Sequence, residues 1–172
     1  MKYHVAPTNQ FREMREEDFI VSKTDLKGRI TYCNKIFIEF SKYSADELIG
    51  VQHNIVRHPF MPRSVFKMLW DTIQNRGEIF AYILNMAKDG SGYWVFANVA
   101  ESTDETGRPI AYYSVRRKPK AAGVKAVTEI YREMTEIERR VGTKDGMAAS
   151  AEFFKSIYGK GGMTYEEFVH TL

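Results

Sequence analysis

The sequence predicts an α+β domain built on an antiparallel sheet, and three observations carry that expectation. Strand-like runs fall into two groups, two before residue 35 and three after residue 78, with helical signals between the groups and no regular strand–helix alternation. Neighbouring runs within each group are joined by turn chemistry: Asp25-Leu26-Lys27-Gly28, Lys88-Asp89-Gly90-Ser91-Gly92 and Asp104-Glu105-Thr106-Gly107. Hydrophobic residues make up 44% of the 172 positions and aromatics 13%, enough apolar material for a core and too much for a disordered chain.

Residues 1–17 are polar and charged and read as a flexible or helical N-terminal cap. Phe19–Thr24 and Arg29–Asn34 form the first hairpin, the second run alternating polar and apolar residues. Ile36, Phe37, Phe40 and Tyr43 share one helical face. Ser44 and Glu47 make a capping box, and Gly50 closes that short turn. A compact segment runs from His53 to Pro59. Pro62 suits the first turn of a longer helix with an apolar stripe of Val65, Phe66, Leu69, Trp70 and Ile73, ended by Gly77. Three strands follow, at Ile79–Asn85, Tyr93–Val99 and Pro109–Arg116. Beyond residue 119, Val124, Val127, Ile130, Tyr131, Met134 and Ile137 recur at helical spacing. Ala148–Tyr158 reads as a second helix, and a Thr164/Glu167 capping box opens a third. The Gly159–Gly162 cluster follows no strand and lacks phosphate-loop spacing, so it reads as an interhelical turn.

The formal net charge of +3 does not call for a nucleic acid, and the one basic run, Arg116-Arg117-Lys118-Pro119-Lys120, reads as a solvated strand end. The single cysteine, Cys33, forms no internal disulfide, and no Cys/His cluster has zinc spacing. The N-terminus lacks a signal-peptide run, and no stretch reaches the ~18 consecutive apolar residues of a membrane helix, so the expected location is cytoplasmic. No nucleophile elbow, HExxH, Rossmann glycine pattern or kinase signature is present, and the chain is not expected to be an enzyme.

Gly50-Val51-Gln52-His53-Asn54-Ile55-Val56-Arg57-His58-Pro59-Phe60-Met61-Pro62 resembles the HNxVRHPxMP segment of PAS domains of the aerotaxis-receptor (Aer) type. Trp70, the run Lys88–Asn98 and the final strand Tyr112–Arg117 match the same family, and the resemblance spans roughly residues 10–120. It implies a PAS domain over 18–118, with a five-stranded sheet in the spatial order 2-1-5-4-3, short helices on one face and a helical extension over 119–172. It also implies non-covalently held FAD and a redox or oxygen signal passed to a membrane chemoreceptor carrying HAMP and signalling regions, similar to the bipartite CetA/CetB energy-taxis systems. A homodimer through the N-terminal cap or the C-terminal helices is a further partner expectation.

The family match nominates Arg57 and His58 as cofactor contacts, Arg57 for the pyrophosphate. Phe66 and Trp70 serve as core and cofactor wall together. Asn85 offers an amide that both donates and accepts to a flavin edge; for Asn34 that role stands beside a turn or helix N-cap. The family's Asp after His-Pro is Phe60 here, and its Trp opening the third strand is replaced by Phe80, which supplies a ring face without an N–H donor. Haem bound through His53 or His58 and a cofactor-free interaction module are the alternatives.

Overall fold

In a computed structural model, described for residues 5–75 and 77–172, the chain forms a five-stranded antiparallel sheet in the order β2-β1-β5-β4-β3. The strands are β1 Ile20–Thr24, β2 Ile30–Cys33, β3 Glu78–Met86, β4 Gly92–Thr103 and β5 Pro109–Arg117. Two of the hairpins use one turn twice. Asp25 Oδ1 accepts from the amides of Lys27 and Arg29, and Asp104 Oδ1 accepts from those of Thr106 and Arg108. Gly28 and Gly107 then take φ of 78° and 77°, a conformation that a side chain resists.

Between β2 and β3 the chain crosses one face of the sheet as α1 Lys35–Ser41, α2 Ala45–Leu48, a 3-10 turn at His53–Val56 and α3 Arg63–Gln74. The Ser44/Glu47 box caps α2 as expected. Pro62 stands at the N-cap of α3, one position earlier than the first-turn placement expected of it. Its N-cap has no side-chain bond of its own; instead Glu138, far along the chain, accepts from the Arg63 and Ser64 amides at 3.0 and 2.9 Å.

The described part of the N-terminal segment forms no helix. Phe11 bridges Gly92, and the Arg12 guanidinium lies 4.7 Å over the Phe40 ring.

The C-terminal region comprises α4 Ala121–Val141, α5 Gly146–Tyr158 and α6 Tyr165–Thr171. It has no core of its own. Val127, Tyr131, Met134, Phe154 and Val169 belong to the same buried cluster as Phe37, Tyr82 and Val95. These helices also guard β3, which is an edge strand. Tyr131 Oη donates to the Tyr82 carbonyl at 3.0 Å, and Tyr165 Oη to the Phe80 carbonyl at 2.8 Å. Edge groups that would otherwise template another strand are satisfied within the chain. No helix among the described residues is long and apolar enough to cross a membrane.

Candidate functional site

Period-two alternation sorts the sheet residues onto two faces. Ser22, Thr24, Ile83, Asn85, Ala97, Ser114 and Arg116 look toward α3 and the 3-10 turn, and a cavity of about 490 Å³ lies between them. Its apolar flank includes Phe66, Leu69, Trp70 and Ile73 of α3. Trp70 meets Tyr112 edge-on at 5.5 Å, and its ring packs so close to the hairpin turn that a Cβ at Gly28 would stand 3.0 Å from it.

The polar end is a chain of three groups. Arg116 is 2% exposed and donates through Nη2 to Ser22 Oγ. Ser22 Oγ lies 3.0 Å from His53 Nε2. A guanidinium has only donors, so the Ser22 oxygen accepts from it; Arg116 Nη1 also lies 3.4 Å from His53 Nε2, which favours an unprotonated Nε2 that accepts from both neighbours. Burial and the positive charge of Arg116 favour the same state, lowering the His53 pKa to about 3. The His53 ring stacks on Phe37 at 5.6 Å, and the Arg116 guanidinium sits 4.6 Å over that same Phe37 ring.

This end of the cavity is electrically incomplete. No carboxylate pairs with Arg116 among the described residues, and its Nε has no hydrogen-bond partner. Asn85, 4% exposed, leaves Nδ2 unpartnered in the same cavity wall. Buried donors without acceptors cost a few kcal/mol each, more when charged. The arrangement therefore suits a planar ligand that brings acceptors to Asn85 and electron density to Arg116.

The structure brings four nominated residues together: Arg57, Phe66, Trp70 and Asn85 line the cavity. Arg57 lies 4.2 Å over the Phe66 ring and donates to the Met61 carbonyl. Three others sit elsewhere. Asn34 is the N-cap of α1, accepting from Val21 and Phe37 amides at 3.0 Å each and donating to the Phe19 carbonyl at 2.7 Å, so its amide is consumed by structure. Phe80 lies on the other face of the sheet, stacked on Phe96 and meeting His170 of α6. Five positions separate it from Asn85 within one unbroken strand, and an odd separation puts two residues on opposite faces.

His58 is buried but does not line the cavity. Its Nδ1 accepts from the Phe60 amide, and its ring meets the Phe60 ring edge-on. Phe60 itself is 65% exposed. With His53 Nε2 engaged by Ser22 and His58 outside the cavity, neither histidine is presented as an axial ligand for haem. No group of three or more metal-ligating side chains occurs among the described residues, and Cys33 is half-buried.

Burial pushes the His58 pKa down to about 4. The folded value lies below the unfolded one near 6.5, so the unfolded chain takes up a proton that the folded chain refuses. The stability from neutral His58 is complete above about pH 6.5 and is lost as pH falls toward 4, by up to about 1.4 kcal/mol per pH unit. Urea midpoints should therefore hold steady from pH 8 to 7 and decline from 6.5 to 5. The decline should be shallower in His58→Gln; an unaltered slope would assign it to other groups.

Ser22 and Arg116 were missed by sequence reasoning. Arg116 reads as part of an exposed basic run, yet it is buried while Arg117, Lys118 and Lys120 are exposed. The signal lay in the strand's alternation, which places Arg116 on the face of Tyr112 and Ser114.

Comparison with known proteins follows the same outline. The family model described as the PAS fold matches residues 30–116. The chain is 35% identical over 135 residues to the aerotaxis receptor of Escherichia coli K12, an alignment covering 78% of this chain and 26% of the receptor. It is 24% identical over 107 residues to the nitrogen fixation regulatory protein of Klebsiella pneumoniae, covering 62% and 22% of the two. The chain thus spans about a quarter of the length of these curated relatives. Among solved structures, the dark structure of the blue-light photoreceptor Aureochrome1 LOV shares the fold, with a TM-score of 0.56 and 24% identity over 64% of this chain and 82% of that one.

Proposed function

We propose, given that this chain belongs to the PAS fold family, that residues 18–118 are a sensor domain holding FAD in the inner cavity and that its redox state is reported to a membrane chemoreceptor. The observation that carries this reading is the pair of unpartnered buried donors, Asn85 Nδ2 and Arg116 Nε, in one wall of a cavity flanked by Phe66 and Trp70. The residues present fit a flavin: aromatic and aliphatic side chains for the ring faces, an amide for its polar edge, and a cation for its electron-rich end. When bound, the flavin supplies reversible electron uptake. The protein's part is to hold the ring, exclude water and answer a change of protonation at the ring edge. Asn85 is suited to that answer, because an amide that turns about its last torsion exchanges a donor for an acceptor. The backbone of Asn85 bridges that of Arg57, so a movement there is shared between β3 and the segment leading to α3.

This reading is one of a sensor and not of an enzyme, with the output delivered by binding. Purified protein should be yellow and should release FAD on denaturation. Its affinity for the cytoplasmic region of the cognate receptor should then differ at least tenfold between oxidised and reduced protein, which is about 1.4 kcal/mol of differential affinity. A folded, colourless protein that takes up no flavin would defeat the cofactor assignment and favour an interaction-only module. A flavoprotein with equal affinity in both states would defeat the signalling step alone.

A further inference from the structure

The inner cavity borders a second space near the start of α3. Asn54, Arg57 and Arg63 line the cavity and also line this outer groove of about 830 Å³. The groove runs between this segment, the end of β3 and the following turn at Met86–Lys88, and Thr135, Glu138 and Arg139 of α4. The two spaces are thus neighbours, and a ligand that extended past these shared residues would meet the C-terminal helices.

The charge in the groove is lopsided. Arg57, Arg63, Lys88 and Arg139 face two carboxylates, Glu47 and Glu138. Both carboxylates are engaged, Glu47 by Lys88 at 2.5 Å and Glu138 by the first amides of α3. The Arg63 guanidinium has no ion-pair partner among the described residues. Arg139 holds Glu136 at 2.6 Å, a solvent-exposed pair that a stronger anion displaces at little cost. Arg63 at the start of α3 and Arg139 on α4 both line the groove, and two guanidiniums so placed suit a diphosphate, which accepts bidentate bonds from such groups.

We propose that the outer groove is a second subsite, taking the diphosphate and adenosine end of a flavin dinucleotide, with Arg63 and Arg139 as its phosphate contacts and α4 as one wall. This rests on the flavin reading and deepens it. The inner cavity lies in the lower half of the roughly 300–1,000 Å³ range of small-molecule sites, and a second nucleotide needs the further room that the groove provides. The C-terminal helices are then part of the ligand site as well as a cover for the sheet.

Flavin-depleted full-length protein titrated with riboflavin, FMN and FAD, followed by flavin fluorescence, tests the subsite. FAD should bind tightest, and ADP should displace FAD but leave riboflavin bound. Arg63→Glu and Arg139→Glu should each lower the ratio of FAD to riboflavin affinity about tenfold, and Arg139→Lys, which keeps the charge but loses the bidentate fork, should recover only part of it. Equal affinity for the three flavins, or an unchanged ratio in both charge-reversed variants, would overturn the subsite while the flavin reading stands. Failure of the folded protein to bind any flavin would overturn both.

Discussion

Replacing Arg116 with methionine should weaken flavin binding about thirtyfold while leaving the ligand-free protein as stable as before, or more so. The two halves of this expectation come from one fact, that Arg116 is a buried cation without a counter-charge. It is 2% exposed, burial lowers its pKa only to about 10, and it remains charged at neutral pH. Its neighbours are a hydroxyl, an imidazole nitrogen and the face of Phe37. None of these returns what a guanidinium loses on leaving water, and exchanging a poorly compensated buried charge for an apolar side chain of similar length is often neutral or stabilising. A ligand that places electron density against Nε supplies the missing partner. Its loss should cost about 2 kcal/mol of binding, the worth of a hydrogen bond to a charged group. Equilibrium unfolding of the flavin-free protein and flavin titration separate the two effects. Lower stability with unchanged affinity would mean that Arg116 is a structural strut for Ser22 and His53 and has no part in holding a ligand.

The same residue shows where sequence reasoning reached its limit. The sheet was legible because its turns are written in short-range chemistry. The side chains of Asp25 and Asp104 each close their turn by accepting amides two and four residues on, so five residues suffice to specify each turn. The capping boxes at Ser44 and Thr164 are local in the same sense and stand where they were expected. The site was legible in part. Arg57, Phe66, Trp70 and Asn85 reach the cavity, whereas Phe80 does not, because family position took precedence over strand parity. Asn34 could be a cap or a contact on local evidence alone; it became a cap because α1 begins immediately after it. The destination of the C-terminal helices was not legible. The stripe of Val127, Tyr131 and Met134 announces a buried face, but the surface it covers is met beside a close approach at a glycine that appears only in three dimensions.

That glycine is Gly123, and Gly123→Ala should lower stability by about 1–3 kcal/mol and loosen α4 from the edge of the sheet. A Cβ at this position would stand 2.3 Å from Cζ and Oη of Tyr82. Tyr82 is 2% exposed and has little freedom to retreat: its ring packs on Phe96 at 4.9 Å, and its hydroxyl donates to the Leu172 carbonyl. Alanine gains up to about 1 kcal/mol over glycine in a helix interior, so in an unconstrained helix the substitution would stabilise. Here overpacking opposes that gain and should exceed it, since a contact this short is relieved only by moving α4 or Tyr82. Movement of α4 strains the Tyr131 bond to the Tyr82 carbonyl and the Glu138 cap on α3. Hydrogen exchange should therefore quicken in β3 and at the first amides of α3 while the paired amides of β1 and β5 keep their protection. The melting temperature should fall by ~2–4 °C for each kcal/mol lost. A higher melting temperature with wild-type protection in β3 would show that helix propensity outweighs the contact, and that α4 is held by Tyr131 and Glu138 without need of close approach at Gly123.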